Sequence, residues 1–216
     1  MKTSIVKVTE IFQSIQGESS LAGLPAAFVR LAGCPLACTW CDTAYAREGG
    51  AEMSLEEVLR QVRALGWGLV LVTGGEPLAQ AAGLELIELL AGAGHQVMVE
   101  TSGALDITPV DPRAKLVLDV KCPSSGMAAH MRWENLAALR PGDEVKFVLA
   151  DREDYLYARR VIRETLWPPQ VELLLSTVHG RLAPADAVAW LLADRLPVRF
   201  QLQLHKCIWS PEARGV

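Results

Sequence analysis

Three cysteines fall within eight residues in the segment Gly33-Cys34-Pro-Leu-Ala-Cys38-Thr-Trp40-Cys41-Asp42-Thr43, at the spacing Cys-x3-Cys-x2-Cys. Three thiolates on one short loop can each bind an iron of a cubane cluster and leave the fourth iron open to a chelating ligand. Zinc is an alternative, although a structural zinc site normally takes four protein ligands and no His or fourth Cys lies nearby. A purely structural trio of buried thiols is the plainest reading. Cys122 and Cys207 bring the total to five, an odd number that makes a poor disulfide framework and fits a reducing compartment. A small buried hydrophobe is the default role for each of those two.

A second constellation, Thr73-Gly74-Gly75-Glu76-Pro77, directly follows an apolar run at 69–72. Paired glycines let a backbone approach a ligand closely, and Glu76 offers an acceptor for an ammonium group. Taken alone, the segment would serve equally as an ordinary strand-to-helix turn.

The elements that must carry these residues alternate. Short β-rich apolar segments lie at 6–12, 26–31, 69–73, 97–101, 116–120, 145–149, 171–176 and 198–202. Helical spacing marks 83–93, 151–164 and 185–193, and Ser54 with Glu57 three residues on forms a capping box for a helix to about Leu65. Alternation of this kind predicts right-handed βαβ units and a parallel sheet covered on both faces. A complete eightfold barrel takes about 250 residues, and this chain has 216. The expected fold is therefore α/β, a single-domain partial (β/α) barrel over 1–216, abbreviated and partly open, with the cysteine loop at 33–43. In such sheets ligands gather at the carboxyl ends of the strands, where both constellations fall.

Composition narrows the class. Half of the residues are hydrophobic and 21% are charged, the balance of a globular chain. A net charge of −4 and the lack of a Lys/Arg cluster argue against direct nucleic-acid binding. The start MKTSIVKVTE has no apolar core of a signal peptide, and no run reaches the roughly 20 apolar residues of a membrane span. A cytoplasmic protein with no membrane partner is the expectation.

The cysteine loop and the Gly-Gly-Glu-Pro element together resemble those of the radical S-adenosylmethionine superfamily. Further segments are similar to one family within it, the 7-carboxy-7-deazaguanine synthases. They are Glu10-Ile-Phe-Gln-Ser-Ile15-Gln16-Gly17-Glu18, Pro25-Ala-Ala-Phe-Val-Arg30, Cys41-Asp42-Thr43, Glu100-Thr101-Ser102-Gly103, Asp119-Val120-Lys121-Cys-Pro-Ser-Ser, Glu144-Val-Lys146 and Gln203-Leu-His205-Lys206. The resemblance implies a [4Fe-4S] cluster on Cys34, Cys38 and Cys41, S-adenosylmethionine, Mg²⁺ and a flavodoxin- or ferredoxin-type electron donor. It implies a homodimer, and a reaction in which a 5′-deoxyadenosyl radical takes hydrogen from 6-carboxy-5,6,7,8-tetrahydropterin. Ring contraction and loss of ammonia then give 7-carboxy-7-deazaguanine, and the cofactor is regenerated.

By the same resemblance Trp40, Cys41, Asp42, Gly74, Gly75, Glu76, Gly103, Asp119, Val120 and Lys121 contact the cofactor. Ile15, Gln16, Gly17, Glu18, Arg30, Thr101 and His205 contact the pterin substrate, and Thr43 is a magnesium ligand. The residue types suit these tasks: a guanidinium forks onto a carboxylate, and magnesium prefers hard oxygens. The chain departs from the family where many members have Ser-Pro-Lys in place of Asp119-Val-Lys121. It also continues past Pro211 with Glu-Ala-Arg-Gly-Val, where some members end and use the terminal carboxylate. Two other readings are a glycyl-radical-enzyme activating enzyme and a non-catalytic iron–sulfur or zinc-binding interaction module.

Overall fold

The computed structural model describes residues 4–216. Among the described residues nine strands form one mixed sheet: β1 (Ile5–Ile15), β2 (Pro25–Leu31), β3 (Ala51–Ser54), β4 (Leu69–Gly74), β5 (Gln96–Thr101), β6 (Lys115–Val120), β7 (Glu144–Leu149), β8 (Glu172–Thr177) and β9 (Arg199–Phe200). Their order is β3-β1-β2-β4-β5-β6-β7-β8-β9, with the two ends of the list not joined. The result is a curved, open barrel wall, as the chain length led us to expect.

From β2 to β9 every pairing is parallel. The expectation of a wholly parallel sheet fails at the other edge, where β1 runs antiparallel to both β2 and β3. Its cause is local: β1 and β2 are joined by only nine residues, too few for the crossover helix that parallel strands need. Strand β1 also reaches Ile15, three residues beyond the apolar pattern, because pairing to Pro25 continues the ladder past the last buried side chain.

Four helices cover the outer face: α1 (Leu55–Leu65), α2 (Ala81–Gly92), α3 (Arg152–Glu164) and α4 (Pro184–Asp194). Ser54 caps α1 by accepting the Glu57 N–H at 3.2 Å, and Gly66 ends it in the left-handed region. Asp151 caps α3 through the Asp154 N–H at 2.9 Å. The helices bury Val58, Val62, Leu86, Ile87, Leu90, Ala158 and Ile162 against the outward side chains of the strands. Full burial of each such Leu or Ile is worth about 1.5–3 kcal/mol. A short helix not foreseen from the sequence, α5 (Leu204–Ile208), follows β9 and places His205 and Lys206 at the cleft.

The barrel interior is stratified. Its lower part is apolar: Ala26, Phe28, Leu69, Leu71, Met98 and Val117 form their own cluster, with Phe12 and Leu21 against it. One pleat step further along the strands the inward residues become Arg30, Thr73, Glu100, Asp119 and Lys146. In register Arg30 stands beside Thr73 and Asp119 beside Lys146. The loop 16–24 between β1 and β2 turns inward beneath this polar tier. Ser20 donates its N–H to Glu144 at 3.0 Å, and Lys115 meets the same carboxylate at 2.6 Å.

Candidate active site

A cleft of about 200 Å³ opens above the polar tier. The structure brings thirteen of the expected site residues to its wall: Ile15, Gln16, Gly17, Glu18, Arg30, Cys38, Trp40, Cys41, Asp42, Thr43, Asp119, Lys121 and His205. Segments far apart in sequence thus meet in one place.

The cysteine loop is held by its surroundings. Gly33 donates to the Ala46 carbonyl at 2.8 Å, and Arg47 donates to the Cys38 carbonyl at 2.7 Å. Thr39 and Trp40 tie the loop to the turn after β6, donating to the Ser124 carbonyl at 2.7 Å and to Ser124 Oγ at 3.1 Å. Lys121 Nζ lies 5.9 Å from the centre of the Trp40 ring and pairs with Asp119 at 2.9 Å. Cys34, Cys38 and Cys41 are half-buried free thiols. Burial pushes the Cys34 and Cys38 thiols up, and Cys41 nearby adds to both shifts. Among the described residues no group of three or more His, Cys, Asp or Glu could hold a single metal ion. In a cubane each thiolate binds its own iron, so the three sulfurs need only surround the cluster. The residues present fit that group.

Cys34 does not reach the main cleft. It lines a neighbouring cavity on the outer side of the loop with Gly33, Pro35 and Arg47. Gly74, Gly75, Glu76, Thr101, Gly103 and Val120 also stand behind the wall, and the reason differs for each group. A Cβ on Gly74 would sit 2.2 Å from the Leu31 carbonyl oxygen, and one on Gly75 would sit 2.1 Å from that of Gly33. The close approach these glycines permit is therefore to the chain itself, Gly74 to the end of β2 and Gly75 to the start of the cysteine loop, where Glu76 N–H meets the Gly33 carbonyl at 2.7 Å. The Glu76 carboxylate is fully buried and accepts from the Leu78 N–H at 3.1 Å, the Thr101 hydroxyl at 3.0 Å, and the Ser102 N–H and hydroxyl. An ammonium group would have to displace one of those hydroxyls. The Val120 side chain packs in the outer core, which leaves only its backbone for a ligand.

On the β2 side of the cleft, Arg30 lies 5.7 Å from the Phe12 ring centre and 6.0 Å from that of Tyr45. Its Nε donates to Glu10 at 2.6 Å, which fixes the guanidinium plane and spares the outer nitrogens. Tyr45 donates to the same Glu10 oxygen, and burial with that contact pushes its phenol up to about 12. The Gln16 amide is largely committed: its nitrogen donates to Glu100 at 3.2 Å and its oxygen takes the Glu18 N–H at 3.4 Å. His205 lies directly over Gly17, where a Cβ would fall 2.2 Å from Nδ1. Burial holds its imidazole below the ordinary range and so neutral at pH 7. Thr43 donates to Asp42 at 2.9 Å, and the other Asp42 oxygen receives Lys206 at 2.8 Å. Burial opposes ionisation of Asp42, yet Lys206 keeps its carboxyl well below the carboxylate range.

Several wall residues had no role assigned from the sequence: Val148 lies outside the quoted segments, whereas Phe12, Phe28, Thr73, Glu100, Lys146, Gln203 and Lys206 lie within them. The available signal was period two. Glu100 and Lys146 break apolar runs at inward positions, and unpartnered charges inside a barrel strand are costly unless they serve a site. Val216 also lines the cleft, so the tail after Pro211 folds back to the site.

Known proteins resemble this chain in sequence and in fold. Residues 29–124 match the model of the Radical SAM superfamily. A 7-carboxy-7-deazaguanine synthase of Chlorobaculum tepidum is 46% identical over 214 residues, covering 98% of this chain and 97% of its own length. The protein of the same name from Koribacter versatilis is 42% identical over 226 residues, 98% of this chain and 100% of its own. Among solved structures, QueE from Escherichia coli superposes with a TM-score of 0.77 at 23% identity, over 93% of this chain and 95% of that one. TYW1 with a lysine-pyruvate adduct gives 0.54 at 14% identity, over 80% of this chain and 74% of that one. These two likenesses show the fold.

Proposed function

The chain belongs to the 7-carboxy-7-deazaguanine synthase family, and from that premise we propose that it converts 6-carboxy-5,6,7,8-tetrahydropterin to 7-carboxy-7-deazaguanine with loss of ammonia, as a radical S-adenosylmethionine lyase of deazapurine biosynthesis such as the queuosine route. The observation that carries the proposal is the shared cleft. Cys38, Cys41 and Trp40 of the cysteine loop face Gln16, Glu18, Arg30 and His205 across one small volume.

Cys34, Cys38 and Cys41 would hold a [4Fe-4S] cluster, which with S-adenosylmethionine supplies one-electron hydrogen abstraction when bound. The chain's own residues do the rest. Arg30, already oriented by Glu10, grips the substrate carboxylate with its outer guanidinium nitrogens. Glu18 accepts N–H donors of the pterin edge, and neutral His205 contributes one donor and one acceptor nitrogen. Trp40 and Lys121 flank the cofactor side, Trp40 held by Ser124 and Lys121 by Asp119, while Lys206 holds Asp42 next to Trp40's loop. Magnesium belongs to the proposal through Thr43, whose hydroxyl lies in the same wall as Arg30 and offers the hard oxygen that ion prefers. Holding the reacting carbon at a fixed place in a small, walled volume is the protein's contribution to rate.

We further propose that residues 1–216 act as one radical SAM core domain, as a homodimer in the cytoplasm, served by a flavodoxin- or ferredoxin-type donor. An anaerobic incubation of the reconstituted protein with 6-carboxytetrahydropterin, S-adenosylmethionine and dithionite tests the reaction. Mass spectrometry should find 7-carboxy-7-deazaguanine only when all three are present. Glycyl-radical formation on a partner protein with no pterin product would favour the activating-enzyme reading instead.

A further inference from the structure

Resting on that reading, we infer that Lys146 and Gln203 are positioning residues for the pterin, clamping Glu18 as an ionised, fixed acceptor at the floor of the cleft. Glu18 is 5% exposed, and both of its oxygens are held by the protein. Gln203 Nε2 donates to Oε1 at 2.6 Å, and the Lys146 ammonium donates to Oε2. A carboxylate has about four acceptor directions, so one on each oxygen remains for the ligand. Two parallel acceptors suit the adjacent N–H donors of a 2-amino-4-oxopyrimidine edge, the half of the substrate opposite the carboxylate that Arg30 takes.

The backbone around Glu18 is also fixed. Ser19 has a φ of 70°, a region that non-glycine residues rarely occupy. Its N–H is held by Gln201 Oε1 at 2.6 Å, and the Gly17 carbonyl accepts the Leu204 N–H at 3.0 Å. The segment 201–205 thus straps the turn from above while β7 supports it from within the barrel. Strain maintained at a ligand-facing turn marks a position under functional constraint.

The charge at this spot depends on one cation. Glu18 feels Lys146 from β7 and the acidic Asp42 from the cysteine loop. Lys146 in turn faces Glu100 from β5 and Asp119 from β6, the latter at 4.0 Å, with Lys121 as a like charge. His205 and Lys206 face the same volume from α5. Burial alone would neutralise Glu18, whereas Lys146 overrides it and leaves the carboxyl below its usual range. Without Lys146 the site would hold three acidic groups and a protonated Glu18, which presents a donor where the ligand needs an acceptor.

The test is binding and kinetics of reconstituted enzyme with S-adenosylmethionine from about pH 6 to about pH 9. Binding is followed by the fluorescence of 6-carboxypterin, turnover with the tetrahydropterin. Wild-type affinity should vary little across this window. Lys146→Met should weaken both Kd and KM by about 100-fold at the acid end and recover as pH rises, with kcat at saturation changed little. Lys146→Arg should restore the flat profile. Gln203→Ala should weaken affinity by about 10-fold at every pH, and it serves alone if Lys146→Met does not fold. Wild-type affinity in Gln203→Ala, or a flat, unweakened profile in Lys146→Met, would overturn the clamp. A wild-type protein that neither binds nor converts the pterin would instead overturn the family function and the clamp with it.

Discussion

Arg30 and Thr43 sit on one stretch of wall, and the proposed function assigns them two different tasks on one carboxylate. Because Glu10 and two aromatic rings hold the guanidinium, its fork is pre-organised, and a lysine at that place would lose both the stacking and the second prong. Arg30→Ala should raise KM by about 10- to 100-fold, worth about 1.5–3 kcal/mol, and Arg30→Lys should recover only part of it. Thr43→Ala should blunt the response of turnover to added Mg²⁺, read by steady-state kinetics across a magnesium titration. An unchanged response would place the metal elsewhere. For the cysteines, Ala at 34, 38 or 41 should abolish the brown chromophore, and Ala at 122 or 207 should not. Burial holds the Cys34 and Cys38 thiols protonated near neutral pH in the metal-free chain. Ligation needs thiolates and releases their protons, so reconstitution should go further as pH rises, by iron and sulfide counts. Glu76→Gln removes a fully buried charge that four protein donors satisfy. It should weaken S-adenosylmethionine binding in a titration and also lower the melting temperature. A change in melting alone would make Glu76 a support of the β4–β5 ends with no ligand of its own.

Among the elements, α5 does the most with the fewest residues. It reaches the substrate turn through Leu204 and His205 and the cysteine loop through Lys206, whose ammonium meets Asp42 at 2.8 Å. Lys206→Met should leave the cluster intact and raise the KM for the pterin, because Asp42 then loses the partner that fixes it beside Thr43. Assembled cluster with unaltered KM would show that the ion pair is ornamental to the site. How far these elements were legible follows from period and pairing. The strands β4 to β8 were read nearly to the residue, since buried parallel strands are continuous apolar runs, and α1 was read from its cap. The sequence hid β3, whose four residues carry no burial pattern and are a strand only because β1 offers a free edge. It hid α5 too, whose five residues contain no buried side chain. The site was half legible for a related reason. Glu18 and Thr43 could be given roles from their motifs alone, whereas Lys146 and Gln203, though inside quoted motifs too, acquire a role only when the fold closes two distant segments onto Glu18.

At the scale of the molecule, an open barrel leaves its interior reachable, and the polar tier of Arg30, Thr73, Glu100, Asp119 and Lys146 is the consequence. A charged interior costs stability unless each group has a partner. Glu18 and Lys146 satisfy each other, so the pH dependence of folding carries their signature. Glu18 has its folded pKa lowered from 4.5, so its contribution is present above that value and is lost as acid takes pH down through the folded pKa. Lys146 is raised well above 10.5, so its contribution is present below that value and fades as alkali takes pH up through the folded pKa. Lys146→Met should cost about 3–5 kcal/mol between these limits, measured by urea denaturation. In the proposed function, one cleft presents a pterin to the radical-generating cofactor. The most direct measurement uses 6-carboxytetrahydropterin deuterated at its ring carbons, incubated anaerobically with the reconstituted protein, unlabelled S-adenosylmethionine and dithionite. Deuterium should pass from the pterin into the 5′ position of recovered S-adenosylmethionine while 7-carboxy-7-deazaguanine accumulates. Product without label in the cofactor, or label with no deazaguanine, would contradict the account.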